Sequence, residues 1–221
     1  MWARKIFGLS LFLVLGAACD DYEDEDAYAR SLVLLENATC KIETGLGKEI
    51  DRLACLSPTL REDLKRLEED DWTIGYGEEG GGTYVILSRK LIVFDPDYRN
   101  STNYIVYGLA HEAGHAKGTY PVDCSSKNAF VAKLLADEGV ATLNAIKVQR
   151  EILKNDGEDI AAWVTNMAKY DAIYDQYLRD GNAAKAHKEI GDIMAVEERC
   201  SGTNQPYIDC YGDQYPKVCG R

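Results

Sequence analysis

Residues 104–117, YIVYGLAHEAGHAK, carry His111, Glu112 and His115 in a segment whose apolar remainder reads as a helix. Side chains four apart on a helix project from one face about one turn apart, so both imidazoles can reach the same metal ion. Glu112 then flanks the open side of that metal. The whole chain has three histidines, and two of them are spent here around a glutamate in the H-E-x-x-H arrangement that binds zinc.

A catalytic zinc takes three protein ligands and keeps a fourth position open. The third ligand should stand on a later element, and residues 134–145, LLADEGVATLNA, offer Asp137 and Glu138. Helical spacing separates them. Glu138 falls in line with Val131, Leu134, Leu135, Ala141, Thr142 and Ala145, whereas Asp137 keeps company with Lys133, Asn144, Lys147 and Glu151. A carboxylate on an apolar stripe needs a compensating partner, and a metal ion provides one. Glu138 is therefore the expected ligand. Gly139 beside it lowers helix propensity by roughly 1 kcal/mol against alanine, which points to close approach of another backbone or a ligand.

At these residues the chain resembles the gluzincins, zinc peptidases whose third ligand is a glutamate on a helix downstream of HExxH. Glu138-Gly139-Val140-Ala141 is similar to the EGxA signature of their aminopeptidase-like members, and the resemblance covers roughly residues 83–146. It implies one Zn2+ held by His111, His115 and Glu138, with Glu112 as the base that activates water. It also implies that the strand nearest the motif helix, Leu91 to Phe94 or Thr83 to Ser88, pairs with an extended peptide. No aspartate follows Glu138 by four, so the hydrogen-bond partner of the histidines stays unassigned. A further donor to the transition state is expected after Glu138, with His187 and Tyr174 as candidates beside Tyr170 and Tyr177. These tyrosines share a stripe with Ile160, Trp163 and Met167, and His187 flanks Ala183, Ile190 and Met194, so packing accounts for them equally well.

The expected class is α+β: a zincin-like domain with a small antiparallel β-meander, the HExxH helix and a mostly helical C-terminal part. Residues 26–36 and 47–55 have helical spacing, and Ser57-Pro58 opens a helix whose leucines at 60, 64 and 67 face inward. Short β-rich runs follow at 72–76, 83–88 and 91–94. Gly75 to Gly80 satisfies GxGxxG by letter, but two glutamates inside it would repel a pyrophosphate, so it reads as a hairpin loop. Helices are expected from about Lys127 to Asn155, near 158–180, and at 182–198 with Asn182 as N-cap. The tail from Ser201, with its glycines, prolines and cysteines, reads as an irregular flap pinned by disulfides.

Residues 1–18 combine Arg4 and Lys5 with an apolar run too short to span a bilayer, the pattern of a signal peptide. The run ends Leu15-Gly16-Ala17-Ala18-Cys19, which resembles a bacterial lipobox and makes Cys19 the lipidation candidate; ordinary cleavage before an unmodified Cys19 is the alternative. An acidic tether, residues 19–26, then leads into one domain, 27–221. Asp20 after the cysteine resembles the inner-membrane retention signal of enterobacterial lipoproteins. Consigning Cys19 to lipid leaves six of the seven cysteines, Cys40, Cys55, Cys124, Cys200, Cys210 and Cys219, enough for three bridges. Proximity suggests Cys40 with Cys55 and Cys210 with Cys219, or a bridge from Cys124 to the tail. A net charge of −12 argues against a nucleic-acid partner. The sequence thus points to an exported zinc metallopeptidase acting on peptide or protein substrates, anchored to the membrane through lipid on the periplasmic side, or secreted. The rival readings are an amidase or toxin acting on peptidoglycan and a non-catalytic envelope binding or assembly lipoprotein.

Overall fold

The computed structural model describes residues 40–118, 122–200 and 203–220. The signal segment, Cys19, the acidic tether and the helix expected at 26–36 lie outside them. The described residues form an α+β fold of seven helices and three strands. The helices are α1 (Lys48–Cys55), α2 (Pro58–Glu69), α3 (Thr102–Ala116), α4 (Lys127–Lys154), α5 (Met167–Asp180), α6 (Ala183–Glu197) and α7 (Tyr207–Val218). Capping explains several starts. The Ser57 hydroxyl accepts from Leu60 N–H and Pro58 fills the first turn of α2, while Ser126 and Asn182 cap α4 and α6 through Ala129 and Lys185 N–H. Among the described residues no helix is long and apolar enough to cross a membrane.

Strands β1 (Thr73–Tyr76), β2 (Tyr84–Ile86) and β3 (Leu91–Phe94) make one sheet in the order β1-β3-β2. The expected antiparallel meander is corrected here. β2 and β3 are antiparallel, but β1 runs parallel to β3, Thr73 opposite Leu91 and Tyr76 opposite Phe94. The glycine-rich connection 77–82 is long enough to carry the chain past β3, and the Asp95 carboxylate gathers it by accepting from Gly80 and Gly82 N–H. Leu-Ile-Val-Phe of β3 is apolar without alternation, which suits a central strand covered on both faces. Helix α3 lies against the sheet at Gly108, where an added Cβ would come within 3.1 Å of the Phe94 ring.

Helix α4 is the centre of the fold, packing against α2, α3, α5, α6 and α7. Its neighbours approach where side chains are smallest. A Cβ on Gly114 of α3 would lie 2.6 Å from Ala141 Cα; one on Gly139 of α4 would meet the His187 carbonyl oxygen of α6 at 2.0 Å, and one on Gly191 of α6 the Leu135 carbonyl oxygen at 2.4 Å. The close backbone approach expected at Gly139 is therefore helix α6. Two further expectations are corrected. The helix expected near 158–180 starts only at Met167, because residues 160–166 turn and place Trp163, Val164 and Thr165 along a cavity. The tail is a helix, α7, whose Tyr207, Tyr211 and Tyr215 recur every four residues and pack toward Phe130 and Leu135.

Three disulfides join the six cysteines: Cys40–Cys55, Cys124–Cys219 and Cys200–Cys210. The first matches the expected pair, and Cys124 does reach the tail. The Cys210–Cys219 pair is not formed. Cys210 on α7 and Cys219, which caps its C-terminus, are nine apart, so they point to opposite sides of the helix and find partners on different neighbours.

The glycine contact gives a prediction whose sign separates two effects. Helix propensity alone would make Gly139→Ala stabilising by about 1 kcal/mol. Because the obstructing atom is backbone, the variant should instead unfold at lower urea, losing about 1–3 kcal/mol as overpacked helices separate.

Candidate metal centre

Helices α3 and α4 bring His111, His115 and Glu138 together so that one donor atom of each lies within 4.8 Å of the others, a group able to hold a metal ion. The spacing is informative. His111 Nε2 lies 3.2 Å from His115 Nε2 and 3.1 Å from Glu138 Oε2, and His115 Nε2 lies 3.6 Å from that same oxygen. Metal–ligand bonds of about 2.0–2.1 Å put the donors of a tetrahedral zinc roughly 3.3 Å apart, so the residues present fit such an ion without rearrangement. His115 and Glu138 are each only 6 % exposed, and burial leaves the carboxylate dependent on partners for its charge.

The imidazole of His115 is oriented from behind. Its Nδ1–H donates to Asp137 Oδ2 at 2.8 Å, which leaves the Nε2 lone pair facing His111 and Glu138. Asp137, grouped by helical spacing with Lys133, Asn144, Lys147 and Glu151, is thus the missing hydrogen-bond partner. Its signal was its position: the residue before the ligand on the same helix. Burial works against protonation of His115, but the carboxylates of Glu138, Asp137 and Glu112 outweigh it and hold the group well above its ordinary pKa. Burial likewise works against ionisation of Glu138, and the neighbouring His115 and His111 more than reverse it, holding the carboxyl far below the usual range. The remaining oxygen of Glu138, Oε1, accepts from the Tyr211 hydroxyl of α7.

Glu112 stands one residue from His111, 6 % exposed, beside a cavity of about 270 Å³ that both residues line. Burial pushes its carboxyl pKa up, against the pull of His115 and His111 and with a push from Glu138 and Asp137. The rest of the wall mixes aromatic rings, Tyr104, Tyr107, Trp163, Tyr170 and Tyr207, with the charged Glu198 and Arg199 and with Thr83, the residue before β2. Of the transition-state candidates, His187, Tyr174 and Tyr177 are not among the lining residues. Tyr174 is buried under the Arg150 guanidinium, 4.6 Å from its ring, and His187 presses its backbone on Gly139. Tyr170 does line the cavity, and its hydroxyl donates to Glu198 at 3.0 Å. Tyr207 was missed, hidden in a tail that looked irregular.

Lys117 stands just past the motif. It pairs with buried Asp63 of α2 at 2.7 Å and donates to Asn144 of α4 at 2.7 Å. Asn144 in turn donates to Asp63 and to the Ala110 carbonyl. This network clamps α3 against α4 at Ala110, next to His111, and at Lys117, two residues past His115.

No protein-family model, no curated protein and no solved structure matches this chain, so geometry alone supports the site.

The two acidic neighbours should separate in metal titrations. Against a chromophoric chelator, Asp137→Ala is expected to weaken Zn2+ or Co2+ binding about 10–100-fold, as loss of an outer hydrogen-bond partner does. Glu138→Ala, which removes a donor, should weaken it by more; the reverse order would mean that Asp137 is the ligand.

Proposed function

We propose that the chain is a zinc-dependent hydrolase of peptide bonds that works outside the cytoplasm. What carries this reading is the triangle of His111 Nε2, His115 Nε2 and Glu138 Oε2, with sides of 3.1 to 3.6 Å, set at the cavity that Glu112 lines. Zinc held by these three residues would supply Lewis acidity to a scissile carbonyl and to the attacking water.

The chain's own residues do the rest. Glu112, buried and with its pKa raised, is placed to take a proton from water and deliver it to the leaving amine. Asp137 keeps His115 in the tautomer that offers Nε2. A peptide is the favoured substrate because the cavity runs to an exposed sheet edge. β3 is paired on both sides and has no edge to offer, whereas β2 is paired only with β3 and begins beside Thr83 of the cavity wall. An extended substrate adding to β2 would bring its backbone past Glu112. The cavity's aromatic rings would take an apolar side chain next to the scissile bond, with Glu198 and Arg199 beside them for polar groups.

Three disulfides are consistent with an oxidising compartment. Together with the apolar leader they support export, with Cys19 as the lipid anchor.

Glu112→Gln is the decisive variant. It should bind zinc as the wild type does and lose hydrolysis of a peptide substrate by about 10²–10⁴-fold, the usual worth of a general base. Full activity in Glu112→Gln, measured on a substrate identified by cleavage of a peptide library, would refute the mechanism.

A further inference from the structure

Helix α7 reaches the metal centre through one hydroxyl. Tyr211 donates to Oε1 of Glu138, while Oε2 of the same carboxylate faces His111 and His115. The two oxygens thus have separate tasks. An unrestrained carboxylate can rotate about its last bond and offer either oxygen, or both, to a metal; a hydrogen bond to one oxygen selects the other.

Tyr211 is itself held firmly. Its ring meets Tyr207 edge to face, centroids 5.5 Å apart, and one turn further on Tyr215 meets Phe130 of α4 in the same manner at 5.7 Å. Gly212 leaves room for the Lys127 side chain, which would lie 2.7 Å from an added Cβ. Two covalent links fix the helix. Cys200–Cys210 ties its first half to the end of α6, and Cys124–Cys219 ties its last turn to the segment just ahead of α4, the helix that carries Glu138.

We propose that Tyr211 is a positioning residue that fixes Glu138 as a one-oxygen metal ligand, and that the Cys124–Cys219 bridge keeps it in place for this task. The proposal rests on the zinc site inferred above and concerns metal affinity rather than turnover. It gives the tail a role beyond stability: the bridge, some distance from the metal, helps to set how tightly the metal is held.

The test compares wild type, Tyr211→Phe, the double variant Cys124→Ser with Cys219→Ser, and the combination of all three, using the full chain. Zinc affinity is read by competition with a chromophoric chelator, and ligand geometry by the visible absorption of the Co2+-loaded protein. Tyr211→Phe keeps the ring and its packing, so a purely structural role would leave both readouts unmoved. The expected result is a loss of zinc affinity of about tenfold or more, with altered Co2+ bands. The bridge variant should lose affinity by a similar factor, and adding Tyr211→Phe to it should change little, because the hydroxyl is already displaced.

Unchanged affinity and spectrum in Tyr211→Phe would overturn the proposal while leaving the zinc site intact. Effects that multiply in the combined variant would overturn the role of the bridge. A wild type that binds neither metal would remove the zinc reading, and this proposal with it.

Discussion

Everything at the candidate site depends on how closely α3 and α4 approach. A histidine and a glutamate on facing helices can share one ion only if the helix axes come together at the height of the ligands, and any side chain between them would hold them apart. Gly114 against Ala141 meets that condition, with no room for a Cβ on the glycine. Both small residues belong to the motifs themselves: Gly114 lies between Glu112 and His115, and Ala141 is three residues beyond Glu138. The letters between the ligands are thus as structural as the ligands are chemical. Gly139 makes the same provision on the opposite side for α6, so α4 is pinched between two backbones at the level of Glu138.

A polar seam along α4 completes the arrangement. Asp137, Asn144 and Glu151 recur every seven residues, and each engages a partner on another helix or its cap: Asp137 with His115, Asn144 with Asp63 and Ala110, Glu151 with Ser57 and Thr59. Such seams are specific rather than strongly stabilising, since every member gives up water for its partner. They set rotation and register. An α3 turned or slid along α4 would strand Asp137 and Asn144 without partners and misdirect both histidines.

Much of this was legible in the sequence, and what was not has physical causes. HEAGH paired its two histidines through the four-residue period, and Glu138 was separable from Asp137 because a charge on an apolar stripe demands explanation. The same periodicity misjudged Asp137, since it reports polarity and cannot tell a solvated face from a seam buried between helices. The sheet was misjudged differently. Local β-propensity locates β1, β2 and β3, but the parallel pairing of β1 with β3 depends on where the chain travels through residues 77–82. The unbroken apolar run Leu91–Phe94 was the clue that β3 is central. In the tail, cysteines, glycines and Pro216 suggested irregular chain, yet Tyr207, Tyr211 and Tyr215 hold a helical period, and two disulfides offset the weak propensity around them.

The buried charges say what kind of occupant the cluster suits. A purely hydrogen-bonded arrangement accounts for part of it: with its proton on Nε2, His111 could donate to His115 or to Glu138, at 3.2 and 3.1 Å. The convergence of His115 Nε2 on the same Glu138 oxygen at 3.6 Å then requires a second ring proton, because His115 already donates through Nδ1 to Asp137. Glu112 is a second buried carboxylate beside Glu138, with the half-buried Asp137 next to them and two imidazoles among the three. Crowding carboxylates together away from water is costly unless positive charge lies among them. A divalent cation held by His111, His115 and Glu138 would supply that charge and would let both imidazoles stay neutral.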